Sequence, residues 1–451
     1  MPYSEHEEIK TLFNMLKAGT SAALTVQEAA RQLAEAGFEE LEFRKHWELK
    51  RGARYYMKHH DTTLFAFTVG SSFEKEDGFR MAAAHTDYPC LRIKPNPDIR
   101  TAGYRQLNVE VYGGPILNTW LDRPLSVSGR VAVKSQDVMH PGVRLVDVER
   151  PLMVIPNLAI HLNRDVNKGV ELNRQTNLLP ITGSGGIVEE ACGDEGSQKV
   201  VQEALALKQA GFLEYLAREL GVEKSDILDY ELWIKCLEEP KLVGIENDLI
   251  VSPRLDNLTS VQALVSGLIG GDRDKGINLI ALFDHEEIGS KSKQGAGSLL
   301  LLQLLEKISR CFGMDDNEKR EFIYDSMLLS VDVAQGSHPN YMSKVDPTNQ
   351  PVLNGGFCIK EACSQSYATD CEAVAAVEQL CQAKKIPYQK FVNRSDVTGG
   401  GTLGAIASSI IPVPTVDIGV PLLAMHSAVE TMGVQDQIGI TKLMREYFSI
   451  V

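Results

Sequence analysis

Residues 277–290 read Ile277-Asn-Leu-Ile-Ala-Leu-Phe283-Asp-His-Glu286-Glu287-Ile-Gly-Ser290. Six of the first seven residues are apolar, and Gly276 and Asp284 bound the run. That is short for a helix and right for a buried strand. Outward from it lie further short apolar runs with strand character: Thr63–Val69, Met81–Ala84, Met327–Val333 and Val416–Val420. Amphipathic stretches over 198–220, 294–310 and 371–384 separate several of them. Strands alternating with helices imply an α/β layer fold with a largely parallel sheet. The first 40 residues read as helical, with Ile9, Leu12, Phe13 and Leu16 at helical spacing. A capping box at Thr25-Val-Gln-Glu28 is expected to open a second helix carrying Ala29, Leu33 and Phe38. From about 92 to 240 the chain turns rich in Gly, Pro and short β-like segments such as Gln106–Tyr112 and Val127–Lys134. This stretch is expected to be an inserted β-rich domain that splits the α/β domain into 1–91 and 241–451.

The 451 residues carry 46 Lys plus Arg against 60 Asp plus Glu, a net charge of −14. Such a chain repels phosphate backbones and anionic lipid, so neither nucleic acid nor a membrane is an expected partner. No run approaches the roughly 20 apolar residues of a membrane span, and the acidic start MPYSEHEEIK does not read as a targeting peptide. Eight cysteines are scattered without a C-x-x-C pair, which suits reduced thiols and a cytoplasmic location.

On an α/β scaffold, ligands gather where strands end at their carboxyl edge. The MAAA run ends in His85-Thr-Asp87, INLIALF in Asp284-His-Glu286-Glu287, and MLLSV in Asp332. Arg254-Leu-Asp256-Asn precedes a helix, and Ala424-Met-His426-Ser opens another segment. Each alone could be a cap or a turn residue. The adjacent Glu286 and Glu287 are harder to explain that way, because neighbouring carboxylates beyond an apolar strand repel each other unless a cation relieves them. Two His and three carboxylates suit a dinuclear zinc site with one bridging carboxylate, and Co or Mn would be tolerated. A spare Glu286 supplies the base that hydrolysis needs. Asp87, two residues after His85, is placed to hold the second imidazole nitrogen.

These motifs, in this order, resemble the aspartyl aminopeptidase family of dinuclear zinc exopeptidases. The matching stretches are AAAHTDYPCLRIKP (82–95), YGGPILNTWLDRPLSVSGRV (112–131), IPNLAIHLNRDVN (155–167), SPRLDNLTS (252–260), DHEEIGS (284–290), SVDVAQGSHPNY (330–341), NRSDVTGGGTLG (393–404) and LAMHSAVE (423–430). The resemblance implies a three-layer zinc-peptidase catalytic domain with an inserted dimerisation domain. It makes Asp256 the bridge, with His85 and Asp332 on one metal and Glu287 and His426 on the other. Glu286 becomes the general base for a water shared by the two zinc ions, and Asp87 the residue that orients His85. His161 resembles a histidine that reaches into the neighbouring subunit's site, and Lys360 and Tyr367 match a lysine and tyrosine lining the pocket for an acidic N-terminal residue. Dimers that assemble into a tetrahedral dodecamer, and peptide substrates, are implied as partners. The chain departs from the pattern at Gln335, where many relatives carry His, at Ser366 in place of Arg, and at Asn118 in place of His. None of the three is an implied metal ligand, so they bear on substrate choice and subunit contacts.

Gly399-Gly-Gly401-Thr-Leu-Gly404 satisfies a dinucleotide fingerprint but lacks the following acidic strand, so a turn bringing backbone to the site is the better reading. His59-His60 falls in a polar turn. Three readings compete with an Asp/Glu aminopeptidase: a neutral-residue, Leu-type enzyme of the same family, a silent scaffold with the same fold, and a metal-dependent carboxypeptidase or deacylase.

Overall fold

The computed structural model describes residues 3–184 and 211–450. The helical reading of 198–210 falls outside them. The chain divides into two compact units, one formed by Met1–Tyr88 with Glu238–Val451 and the other by Pro89–Leu237.

The first unit is built on a nine-stranded sheet. From edge to edge its strands are Glu39–Glu40, Arg54–His59, Thr63–Val69, Ile277–Phe283, Phe79–His85, Met327–Val331, Thr415–Gly419, Phe357–Glu361 and Tyr388–Val392. The four central strands, from Ile277–Phe283 to Thr415–Gly419, run parallel, and antiparallel pairs flank them. Alternation along each strand feeds two cores. Ala82, Ala84, Ile280, Leu282, Leu329 and Val416 pack with residues of the helices Glu7–Ala18, Ala22–Glu35, Leu255–Gly270 and Val434–Tyr447. Met81, Ala83, Leu279, Phe283 and Leu328 pack on the other face with Leu300–Cys311, Asp316–Tyr324 and Leu403–Ile410. Helices on both faces of one sheet make three layers, and strands buried on both faces read as continuous apolar runs.

The helix expected to begin at Thr25 begins one turn earlier, at Ala22 with Ser21 as its N-cap. Thr25 and Glu28 are therefore interior residues. Glu28 does not reach back to cap; its carboxylate pairs with the Arg31 guanidinium at 2.7–2.8 Å. The stretch 294–310 is helical only from Leu300, because Gln294–Leu299 folds as turns. The helix at 371–384 has the expected bounds.

A second, five-stranded sheet of the same unit runs Lys241–Val243, Leu249–Ser252, Glu430–Gly433, Pro421–Leu423, Ala334–Gln335. It pairs Ser252 with Glu430 and Ala334 with Pro421. The segments that carry Asp256, His426 and Asp332 are thereby gathered at one place. The Pro89–Leu237 unit contains a six-stranded antiparallel sheet and the helix Phe212–Leu220. Among the described residues, no helix is long and apolar enough to cross a membrane.

Candidate metal centre

Three neighbouring parallel strands end side by side, and each releases a polar residue where its hydrogen-bonded ladder stops. His85 is the last residue of its strand, Asp332 follows Val331, and Glu286 and Glu287 lie on a single helical turn beyond Phe283. Asp256 sits in the first turn of Leu255–Gly270, at a break in its helical geometry. His426 stands on the turn between Pro421–Leu423 and Glu430–Gly433, with φ of +67°. All six line one cavity of about 490 Å³, together with Lys360, Tyr367 and the backbone of Gly400 and Gly401. The Gly-rich turn is thus part of the wall. His161 belongs to the Pro89–Leu237 unit, in an exposed turn, and is not among the lining residues.

The geometry of the cluster is two-sided. His85 Nε2 lies 3.3 Å from Asp256 Oδ1 and 3.4 Å from Asp332 Oδ1. His426 Nε2 lies 3.3 Å from Asp256 Oδ2 and 3.6 Å from Glu287 Oε2. Each Asp256 oxygen therefore serves one imidazole, and each imidazole faces one further carboxylate. Donors bonded at about 2.0–2.1 Å to a single tetrahedral ion stand about 3.3–3.4 Å apart, which is close to the spacing of these pairs. Donor atoms of His85, Asp256 and Glu287 also lie within 4.8 Å of one another. Asp256 Oδ1 is buried and accepts no well-aligned hydrogen bond. The donor set, oxygen plus imidazole, is what a divalent transition metal takes.

The main chain around these ligands is held by two buried carboxylates. Asp87 accepts the N–H of Glu286 at 3.1 Å and of Glu287 at 3.2 Å, one on each oxygen. The Asp87 carbonyl oxygen, not its carboxylate, makes the short contact with His85 Nδ1, at 3.0 Å against 3.4 Å. A carbonyl only accepts, so Nδ1 carries the proton and Nε2 is the nitrogen that could take a metal. Glu430 does for the other side what Asp87 does here: its two oxygens accept the N–H of His426 at 2.8 Å and of Asp256 at 3.0 Å. The sequence reading passed over Glu430. Its signal was a lone acid four residues after His426 in a stretch of small and apolar residues. Asp417, in the strand TVDIG, was also missed. It is fully buried, accepts hydrogen bonds from Thr402 Oγ1 at 2.6 Å and from the Ala368 N–H, and so ties together two segments of the cavity wall.

The electrostatics follow from crowding acids in a buried place. Burial pushes Glu286 up to about 8; His85 opposes the rise, and Asp332, Asp87 and Asp256 reinforce it. Glu287 is raised well above the ordinary range by burial and then by Asp256. Burial works against the charged forms of His85 and Asp256 as well, but their mutual contacts win. The carboxylates of Asp256, Asp332 and Asp87 raise His85, and the two histidines hold Asp256 down. Acids that raise one another's pKa are relieved by a cation placed among them. Lys360 is buried nearby, with its ammonium 3.2 Å from the Val333 carbonyl and 5.0 Å from the centre of the Tyr367 ring.

The family model described as Aminopeptidase I zinc metalloprotease (M18) matches residues 15–448. A relative named probable M18 family aminopeptidase 2, from Clostridium novyi (strain NT), is 41% identical over 440 residues, covering 97% of this chain and 98% of its own. Among solved structures, the cryo-EM structure of the Ape4 and Nbr1 complex superposes with a TM-score of 0.89 at 32% identity, covering 98% of this chain and 85% of that one. A structure of the S. cerevisiae mApe1 dodecamer gives 0.81 at 25% identity, over 98% and 96%. The cluster of imidazoles and carboxylates at the strand ends and the match along nearly the whole chain agree: this protein belongs to the M18 family of zinc metalloaminopeptidases.

Proposed function

We propose that the enzyme removes N-terminal Asp and Glu from peptides at a centre of two divalent ions, zinc foremost. The observation that carries the two-ion reading is the placement of Asp256 between two imidazoles, one on each oxygen at 3.3 Å. His85 and Asp332 would complete one site, Glu287 and His426 the other. Bound there, the ions polarise the scissile carbonyl and make water more acidic. Glu286 takes the proton released from the water and delivers it to the leaving amine. Asp87 keeps Glu286 and Glu287 in register through their peptide N–H groups. Lys360 meets the carboxylate of the N-terminal side chain against the face of Tyr367.

The test is metal content per chain, with hydrolysis of Asp-, Glu- and Leu-anilides before and after chelation. About two ions and chelator-sensitive Asp cleavage, restored by zinc, cobalt or manganese, support the reading. Two ions with cleavage of Leu alone would keep the site and reject the substrate.

That second outcome is the neutral-residue reading, and one observation favours it. The Lys360 ammonium already faces the Val333 carbonyl, and Asp332 and Asp417 act on its charge, so part of its field is spent inside the protein. Lys360→Met separates the two. If the lysine binds the substrate carboxylate, kcat/KM falls about ten- to a hundredfold more for Asp and Glu than for Leu. Equal losses would make the lysine structural.

The assembly proposed is a dimer through the Pro89–Leu237 unit, with dimers joining into a tetrahedral dodecamer; that S. cerevisiae mApe1 is itself a dodecamer supports the subunit count. The exposed Leu158, Ile160 and Leu162 around His161 support it, since clustered exposed apolar side chains mark interaction surfaces. His161 would then help hold substrate in a neighbouring subunit. His161→Phe is expected to lower kcat/KM about tenfold or more with mass and metal content unchanged. Wild-type kinetics would return it to a surface role.

A further inference from the structure

Glu430 is 1% exposed, in the strand Glu430–Gly433, and paired in register with Ser252. Its side chain spans two chain segments that are 170 residues apart in sequence. One oxygen accepts the N–H of His426 at 2.8 Å, and the other that of Asp256 at 3.0 Å. The two segments differ in burial and in backbone conformation. Asp256 lies between Leu255 and Leu258, both within 1% of full burial. His426 is on a turn whose residues Ala424–Ser427 are exposed or half-buried, and Ala424 and His426 both adopt left-handed backbone, φ of +58° and +67°. That conformation is costly for a residue with a Cβ and persists only where its surroundings impose it.

We propose that Glu430 is a positioning residue that fixes the turn carrying His426 against Asp256, and so sets the site formed by His426 and Glu287 while leaving that of His85 and Asp332 largely alone. The inference rests on the two-metal reading. His85 takes its orientation from its own strand end and from the Asp87 carbonyl, neither of which Glu430 touches. Gln at 430 keeps the size but offers one accepting oxygen, so one of the two N–H groups meets an NH2 and the clamp opens on one side. Backbone support of a ligand is a lever on affinity, with outer contacts of metal sites contributing about ten- to a hundredfold.

The experiment is calorimetric titration of zinc into the metal-free full-length protein, wild type against Glu430→Gln. The same substitution is also made in His85→Ala and His426→Ala backgrounds. Two binding events in the wild type, one of them weakened about tenfold or more in Glu430→Gln and the other kept within about twofold, support the proposal. In the His85→Ala background, where the His426 site remains, Glu430→Gln should weaken the remaining event. In the His426→Ala background it should change little. Equal weakening of both events, unchanged binding, or the reverse pattern between backgrounds overturns the role assigned to Glu430 while the two-metal reading stands. A wild-type chain that takes up a single ion overturns the two-metal reading, and the proposal with it. Thermal unfolding of the metal-free proteins accompanies each titration, and an affinity loss that tracks a lowered Tm in both backgrounds counts as overturning.

Discussion

If Glu286 is the general base proposed above, Glu286→Gln is expected to retain its metal and to lose turnover by about a thousandfold, within the 10²–10⁴ that a positioned general base contributes. At about 1.4 kcal/mol per tenfold, that is roughly 4 kcal/mol of transition-state stabilisation. The substitution is close to isosteric, and the peptide N–H at 286 stays bonded to Asp87 Oδ1, so the backbone has no reason to move. What changes is basicity. A carboxamide cannot accept a proton from water or pass one to a leaving amine. In the metal-free site the carboxylate is pushed up to about 8, first by burial, with His85 opposing and the neighbouring acids adding to the rise. Among the described residues lining the cavity, it is the group that combines proximity, proton affinity and a place outside the paired imidazole–carboxylate contacts described above. The measurements are kcat on the best anilide and metal content by atomic absorption on the same preparation. A variant that keeps its metal and stays within about threefold of wild type would remove Glu286 as the base, and one that has shed its metal would make Glu286 part of the metal's hold instead.

How much of this was legible beforehand depends on what kind of information each residue carries. Apolar strand runs ending in a ligand-type residue are a local signal, and His85, Asp332 and the Glu286–Glu287 pair stand where such runs stop. The neighbour relations are not local. That Ile277–Phe283 lies beside Phe79–His85 is set by packing between segments nearly 200 residues apart, which no period in the sequence encodes. The second helix starts at Ala22 and not at Thr25, although Thr25 and Glu28 match a cap in residue type. Ser21 carries no stronger signature, and the pairing of Glu28 with Arg31 depends on the turn they share. Glu430 and Asp417 were passed over for a related reason. A single acid in an apolar stretch is equally compatible with a solvated edge, and only the fold shows that Glu430 receives two main-chain N–H groups and that Asp417 holds two wall segments. For Asp87 the residue was found and its atoms were not, since the imidazole contact uses the carbonyl and the carboxylate is engaged elsewhere. The family resemblance suggested roles that geometry alone left open, above all the proposed division of the five candidate ligands between two ions.

That division is tested most directly at Asp256. Its oxygens point apart, Oδ1 toward His85 and Oδ2 toward His426, each at 3.3 Å. Asn fills the same space but has one oxygen, so its NH2 must face one of the two imidazoles, and the formal charge that offsets two cations is lost. If the residue is shared, both half-sites fail together. Asp256→Asn is expected to weaken both ions by about a hundredfold or more, beyond what outer contacts alone contribute, and to reduce hydrolysis to background. His426→Ala, by contrast, should release one ion and spare the one held by His85 and Asp332. The contrast between the two variants carries the meaning, because a general loss of fold would make them alike. Circular dichroism of the metal-free proteins checks that it does not. The histidines hold the Asp256 carboxyl below its usual range in spite of burial, so its charged form favours the folded state at neutral pH. Acidification through that low folded-state pKa removes the contribution, and the metal-free wild type should lose stability there by more than Asp256→Asn does. Retention of one ion at full affinity in Asp256→Asn would show that the ions do not share this carboxylate, and the pairing of His85 with Asp332 and of His426 with Glu287 would need another bridge.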